Sequence, residues 1–264
     1  MSDYVRHRLK LRFWQIALLF VLVGLWWLVV YIDEEKIMFF GEPLEVAQRI
    51  WNWFVTEADI YKHLMVTLFE TVLAFVFGTV AGLGVGLWLG LSPRASDVLS
   101  PYITAANSMP RVILAPIFAM WFGLGIWSKV ALAFTLVFFI VFFNVYRGIR
   151  EVNPVLINNA KMLGASHNQL LRYVYLPSAT SWVFSSLHTS VGMAFVGAVV
   201  GEYLGSASGV GHLILEAEGY QDTSTVIAGI IVLTMCALVL DFLVSIFEKK
   251  LLKWQPSSGS GSTT

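Results

Sequence analysis

MVTLFETVLAFVFGTVAGLGVGLWLGL, residues 65–91, contains one ionisable side chain, Glu70, in an otherwise apolar and glycine-rich stretch. A helix needs about 20 mostly apolar residues to cross a bilayer, and this stretch is longer. Its apolar residues are continuous, whereas the strands of membrane barrels alternate in segments of about ten residues. A helix also satisfies its own backbone polar groups in lipid. The stretch therefore predicts a membrane-spanning helix.

Comparable apolar runs recur along the 264 residues, of which 57% are hydrophobic and 13% charged, with a mean hydropathy of +0.73. A soluble domain of this length needs a far more polar surface. We therefore expect an all-α integral membrane protein with about six transmembrane helices in a domain over residues 13–253. The predicted spans are 13–32, 65–91, 98–122, 128–147, 178–201 and 224–247. Residues 1–12 precede the first span, and residues 254–264 form a flexible Ser/Gly-rich tail.

Lys and Arg indicate the orientation, because they concentrate in cytoplasmic segments. With both termini inside, twelve basic residues are cytoplasmic: Arg6, Arg8, Lys10, Arg12, Arg94, Arg147, Arg150, Lys161, Arg172, Lys249, Lys250 and Lys253. Lys129 and Glu202 then belong to outer segments, and Glu70 is close enough to a span end to reach the outer surface.

The first run is longer than a signal peptide and lacks a small-residue cleavage site, so we expect a retained span. The formal net charge of zero gives no indication of nucleic-acid binding.

Two further patterns concern packing. EPLEVAQRIWNWFV, residues 42–55, has apolar residues at helical spacing after Pro43, which favours an amphipathic helix at the outer interface over a plain loop. Four glycines recur every fourth residue in the second span and predict a close helix contact. They are Gly78, Gly82, Gly86 and Gly90.

The third predicted span contains polar residues beside a proline. These are the candidate pathway residues Asn107, Ser108, Met109, Pro110 and Arg111. Proline removes a backbone donor and kinks helices, and charge inside a membrane usually faces a cavity or a partner. Arg111 either lines a pathway or reaches an interface. His188, in the fifth span, is more often a hydrogen-bonded packing residue than a ligand, and Cys236 has no second cysteine to pair with.

NNAKMLGASHNQLLRYVYLP, residues 158–177, is polar between two apolar runs. Asn153 and Pro154 suit a helix start, and Gly164 suits a left-handed stop after Leu163. Ser166 and Gln169 then form a capping box for a second helix. The pattern predicts a helix, a glycine hinge and another helix. No Walker-type phosphate loop, catalytic group or metal cluster is evident, so the segment reads as a docking surface.

This segment resembles the EAA loop of binding-protein-dependent ABC importer permeases, matching it at Ala160, Gly164, Ala165, Leu176 and Pro177. The loop's usual Glu and first Ala are replaced by Asn158 and Asn159, so an ion pair to the ATPase is lost there. Residues 63–92, 109–129 and 199–214 look like the corresponding stretches of the nitrate/sulfonate/taurine-type permeases. The likeness covers about residues 40–253.

The resemblance implies a type I ABC importer permease fold with a cytoplasmic coupling helix in the loop 148–177. The implied coupling residues are Asn158, Asn159, Ala160, Lys161, Leu163, Gly164, Ala165 and Ser166. The implied partners are two ABC ATPase subunits, a second permease subunit in a homodimer, a periplasmic or lipid-anchored solute-binding protein, and membrane lipid. ATP and Mg belong to the partner ATPase, and this chain binds no cofactor or metal.

The implied protein is a multi-pass component of the bacterial inner membrane, without enzyme activity of its own. Its implied solute is small and anionic, of the sulfonate, taurine, nitrate or aromatic carboxylate type. A secondary transporter or channel not coupled to an ATPase is the alternative. It would be expected to show internal repeats and a midplane ion site, and neither is evident in the sequence. An intramembrane enzyme would need paired catalytic groups at membrane depth.

Overall fold

A computed structural model describes residues 3–33 and 36–251. Helices form all the regular structure of these ranges, which confirms the all-α prediction; the tail, 254–264, lies outside the described residues. The helices are α1 Asp3–Ile32, α2 Ile37–Phe40, α3 Pro43–Trp51, α4 Ile60–Leu91, α5 Pro93–Ser108, α6 Ala115–Phe122, α7 Ile126–Arg150, α8 Pro154–Met162, α9 His167–Leu170, α10 Leu176–Leu204, α11 Val210–Gly219 and α12 Thr223–Leu251. Shorter turns are π-helical at Asn52–Thr56 and Leu171–Tyr175, and 3-10 at Arg111–Leu114.

Within the described ranges, five single helices are long and apolar enough to cross a membrane. They comprise Lys10–Ile32, Ile60–Leu91, Ile126–Arg150, Ser186–Leu204 and Thr223–Ile246. A sixth span requires counting α5 and the segment Arg111–Phe122 as one, although they meet at 86°. The single span expected over 98–122 is therefore broken. Pro110 lacks a backbone donor and holds the preceding Met109 extended, at φ −72° and ψ 133°.

The packing core lies where α4, α7 and α10 meet. The four glycines of α4 face α7, as the predicted close contact requires. A Cβ added at Gly78 would lie 2.7 Å from the Val137 side chain, and one at Gly82 would lie 2.9 Å from the Phe138 carbonyl oxygen. On α7 the surface facing this stripe carries fully buried aliphatic residues: Val137, Val141 and Val145.

The segment 42–55 contains the predicted amphipathic helix, because α3 buries Val46 and packs against α12. Arg49 of α3 donates to Thr225 Oγ1 (2.8 Å) and to Asp222 Oδ2 (3.3 Å) at the start of α12. Burial alone raises the pKa of Asp222, but hydrogen bonds from Thr225 and Arg49 lower it below its usual value. The short helix α11 follows α10 at this end and was not expected from the sequence.

Candidate functional site

The polar segment between α7 and α10 begins with a capped helix. Asn153 Oδ1 accepts a hydrogen bond from the Val155 N–H (2.9 Å), and Pro154 occupies the first helical position of α8. Asparagine at this position satisfies an amide that has no intrahelical partner, and proline has no amide to satisfy. The predicted start of the helix is confirmed, and its predicted end at Leu163 is one residue past Met162.

The turn after α8 is held by its own backbone. Gly164 has φ +82°, and Ala165 N–H donates to the Ala160 carbonyl oxygen (3.0 Å). Ser166 then starts α9 with the predicted capping box: its N–H donates to Gln169 Oε1 (2.7 Å), and the Gln169 N–H donates to Ser166 Oγ (3.4 Å). The hinge between the two helices is therefore a defined turn rather than a loose loop.

The surface of this hinge combines polar groups with exposed apolar ones. Met162 and Leu163 are 86% and 89% exposed at the tip of α8. Beside them lies an open cleft of about 280 Å³, lined by Ala160, Leu163, Gly164, Ala165, Gln169, Leu170, Tyr173 and Val174. Of the predicted coupling residues, Ala160 and Ala165 are half-buried, and the others are exposed: Asn158, Asn159, Lys161, Leu163, Gly164 and Ser166. We name the segment 153–174 the hinge surface.

A continuous helical backbone joins the hinge surface to the membrane domain. The backbone stays helical from α9 through the π-helical turn Leu171–Tyr175 into α10. Val152, just before the hinge surface, and Leu170, within it, are buried. The hinge surface therefore leads into α10 without a non-helical residue between them.

The second predicted site lies at the break between α5 and α6. Asn107, Ser108, Met109 and Pro110 are exposed, and Arg111 is half-buried. Arg111 Nη2 donates to Asn107 Oδ1 (2.5 Å), and its guanidinium lies 4.6 Å from the centre of the Phe139 ring on α7. Its Nε atom is buried and has no hydrogen-bond partner among the described residues. Arg111 thus lies against α7, with part of its donor capacity unused.

Sequence reasoning missed the burial of three ionisable side chains. Glu70, Lys129 and Glu202, assigned to the outer segments or to a span end near them, are respectively 1%, 1% and 0% exposed. They project from α4, α7 and α10 into the packing core, where the three helices shield them from solvent. The signal that could have found them is Glu70 itself, an acid within an otherwise apolar run, because ionisable residues in membrane helices usually face the interior of a bundle.

His188 connects two helices. This contact agrees with its interpretation as a hydrogen-bonded packing residue. Its Nε2 atom lies 3.0 Å from Oδ1 of Asp241, so the pair joins α10 to α12. The Asp241 side chain is 64% exposed in this chain.

The family described as "Binding-protein-dependent transport system inner membrane component" matches residues 71–253, which include the broken span, the hinge surface and α12. The chain belongs to this family. It is a transmembrane permease subunit of an ABC importer, a multi-pass inner-membrane protein that works with ATPase and solute-binding partners, and ATP hydrolysis is the task of the partner ATPases.

Individual relatives of this permease extend over nearly its whole length. It is 30% identical to the putative aliphatic sulfonates transport permease protein SsuC of Bacillus subtilis, over 90% of this chain and 86% of that protein. It is 28% identical to the taurine transport system permease protein TauC of Escherichia coli, over 90% and 88%. The riboflavin transport system permease protein RibX of Chloroflexus aurantiacus is 30% identical, over 90% and 89%.

Solved structures support the fold of the permease. An inward-facing form of the MetNI methionine ABC transporter matches with a TM-score of 0.61 and 19% identity, over 70% of this chain and 93% of that chain. An amino acid ABC transporter crystallised with histidines matches with a TM-score of 0.61 and 22% identity, over 75% and 96%. These likenesses show a type I ABC importer permease fold.

Proposed function

We propose that this permease pairs with a second copy of itself, and that one ATPase docks on the hinge surface of each copy. The observation that carries the docking assignment is the exposed, capped hinge surface joined without a break to α10. Apolar residues exposed at a water-facing tip are costly unless a partner covers them, and Met162 and Leu163 are such residues. Docking there would convert closure of the ATPases into movement of α10, and so into rocking of the spans.

Asn158 and Asn159 fit this docking role without an ion pair. Both are exposed on α8, and amides can donate and accept hydrogen bonds across an interface. Apolar burial at Met162 and Leu163 then supplies most of the affinity, as a few buried residues do in most interfaces. The orientation required has both termini and the hinge surface in the cytoplasm, and the distribution of Lys and Arg supports it.

The pathway is proposed to run past the α5–α6 break and to carry a small organic anion of the sulfonate class. Two relatives are named for aliphatic sulfonates and taurine, which carry a sulfonate group. Arg111 supplies a cation at the break, with a buried Nε that has no hydrogen-bond partner in the described part of the chain. Guanidinium groups bind planar or branched oxyanions through several donors at once. A cavity between two permease copies would also relieve the cost of Asn107 and Ser108 facing lipid.

Uptake into proteoliposomes tests this assignment. The permease is reconstituted with its ATPase and binding protein, and uptake of taurine, an alkanesulfonate and riboflavin is compared with and without ATP. We expect ATP-dependent uptake of a sulfonate, lowered about tenfold or more in Arg111→Gln because a hydrogen bond to a charged group is lost. Arg94→Gln, at an exposed site near the start of α5, is the matched control and should transport normally.

Two results would contradict the proposal. Sulfonate uptake that needs no ATPase would favour a secondary transporter. ATP-dependent uptake of riboflavin alone would retain the importer but overturn the anionic solute and the role of Arg111.

A further inference from the structure

The packing core contains a polar cluster at the outer end of the bundle, which we name the outer cluster. It consists of Glu70 on α4, Lys129 on α7, Glu202 on α10 and Thr67, one turn before Glu70, all at most 1% exposed. Buried charges are rare unless they are paired or hydrogen-bonded, so the hydrogen-bond partners of each group reveal its protonation. The proposed transport pathway does not use these side chains.

Glu202 is positioned as a carboxylate. Its Oε1 accepts from the Thr67 hydroxyl (2.7 Å), and its Oε2 accepts from the Gly211 N–H (2.8 Å) at the start of α11. The Val210 N–H in turn donates to Thr67 Oγ1 (3.1 Å), and of the two acceptors of the threonine hydroxyl, Glu202 Oε1 at 2.7 Å is closer than the His63 carbonyl oxygen at 3.1 Å. Both oxygens of Glu202 therefore face donors, as an ionised carboxyl group requires.

Glu70 is positioned as the protonated partner. Glu70 lies one helical turn from Thr67 on the same face of α4, and Thr67 contacts Glu202, so the two carboxyl groups are neighbours in the packing core. Two neighbouring carboxyl groups buried away from water avoid repulsion when one of them carries a proton. Since Glu202 already accepts from two donors, the proton belongs to Glu70. The Oε2 atom of Glu70 is buried and has no partner among the described residues. An unpaired oxygen is tolerable in a neutral carboxyl group, whereas in a buried carboxylate it is far more costly.

The charges around the pair then balance. Lys129 Nζ donates to the carbonyl oxygens of Leu124 and Gly125, in the connection between α6 and α7, and its positive charge also acts on both carboxyl groups. One ammonium and one carboxylate sum to zero when Glu70 is neutral. The other ionisable groups facing this region are His63 on α4, whose Nδ1 accepts from the Gly209 N–H (3.1 Å), and His212 on α11.

We infer that Glu70 holds a buried proton and that the Glu70–Glu202 pair is a proton-dependent latch between the outer ends of α4 and α10. Loss of the proton places two carboxylates side by side away from water, so they repel and the helices separate. The connection to α11 has no room to absorb the movement, since a Cβ at Gly209 would lie 2.1 Å from the Glu202 carboxyl group. Release of the proton therefore loosens the α10–α11 connection together with α4.

The experiment compares the purified permease in detergent with its Glu70→Gln and Glu216→Gln variants. Glu216 is half-exposed on α11 and serves as the matched control. Infrared spectroscopy detects the C=O band of a protonated carboxylic acid, which we expect in the wild type and in Glu216→Gln at neutral pH and expect Glu70→Gln to remove. We also expect the wild type to lose about 5 °C or more of its melting temperature between about pH 7 and pH 10, and Glu70→Gln to lose less, because glutamine stays neutral.

Glu202→Gln separates the roles of the two acids. Because Glu202 is the counter-charge of Lys129, this variant should melt below the wild type at neutral pH, whereas Glu70→Gln should melt close to it. The inference is overturned if Glu70→Gln keeps the acid band, melts well below the wild type at neutral pH, or follows the wild-type alkaline transition. A Glu202→Gln variant as stable as the wild type would likewise overturn the assignment of the negative charge.

Discussion

The turn of the hinge surface depends on the backbone conformation of one residue, Gly164. Its φ of +82° lies where an L side chain is strained, at a cost of about 1–2 kcal/mol, and a β-branched residue suits it least. A Cβ added there would meet nothing within 4 Å, so the strain is confined to the backbone. We expect Gly164→Val to reduce co-purification of the ATPase or to uncouple ATP hydrolysis from uptake, with normal membrane insertion.

Gly164→Asn is the matched variant, because asparagine enters the left-handed region more readily than valine. It should retain most of the coupled transport. Normal coupling in Gly164→Val would count against the docking role of the hinge surface, and equal loss in both variants would show that the cause is not the backbone angle.

The contacts of some residues could be predicted from the neighbouring sequence, and those of others could not. The caps at Asn153 and Ser166 were predictable because their partners are two and three residues away. Glu202 binds Thr67, 135 residues distant, and no local pattern indicates such a pair. The burial of Lys129 was missed for the same reason. A count of basic residues near span ends predicts orientation, but it cannot tell a side chain in solvent from one turned inward between helices.

Among the elements, the contact of α4 with α7 has the clearest energetic consequence. Gly82 has no space for a side chain, since an added Cβ would lie 2.9 Å from both the Phe138 carbonyl oxygen and Val141 Cβ. We expect Gly82→Val to destabilise the permease by about 1–3 kcal/mol through overpacking, measured as a lower melting temperature in detergent. Gly84→Val, two residues along the same helix and with nothing within 4 Å, is the control for the change itself. Equal melting of the two variants would contradict the close packing.

Long elements were predictable from the sequence, and bends and short elements were not. The apolar runs predicted α4, α7 and α12, because hydropathy alone selects such segments in lipid. Proline indicated an interruption between α5 and α6, but not its 86° angle, which depends on how α6 packs on α7. The helix α11 is short, and its start is held by Glu202 and Thr67, so its sequence alone is weak evidence for a helix.

On the scale of the whole molecule, two ends of the permease are joined by the same helix. The hinge surface continues into α10, and the other end of α10 carries Glu202 in the outer cluster. Under the proposed docking, a push at the hinge surface acts on a helix whose far end is fixed to α4 and α11. We expect such a helix to pivot about its fixed end and to move the segments beside it, including α6, which contacts both α7 and α10.

The α5–α6 break should therefore change its exposure during the transport cycle. Single cysteines at positions 107, 108 and 111, in a Cys236→Ser background, are treated with a membrane-impermeant thiol reagent in the assembled importer. We expect labelling that differs between the resting and ATP-trapped states, because a pathway open to one side in one state is closed to it in the other. Val80→Cys is the control: Val80 is 66% exposed on the apolar helix α4, where lipid excludes the reagent, so it should stay unlabelled in both states.

The two interpretations of Arg111 give different labelling patterns. If the break lines the pathway, positions 107 and 108 share the state dependence of position 111, because all three lie within a few residues of one another at the break. If the break only bends a packed helix, labelling at all three positions is absent in both states or identical in both. That result would assign Arg111 to packing against Phe139 at 4.6 Å, and the solute would have to cross elsewhere between the permease copies.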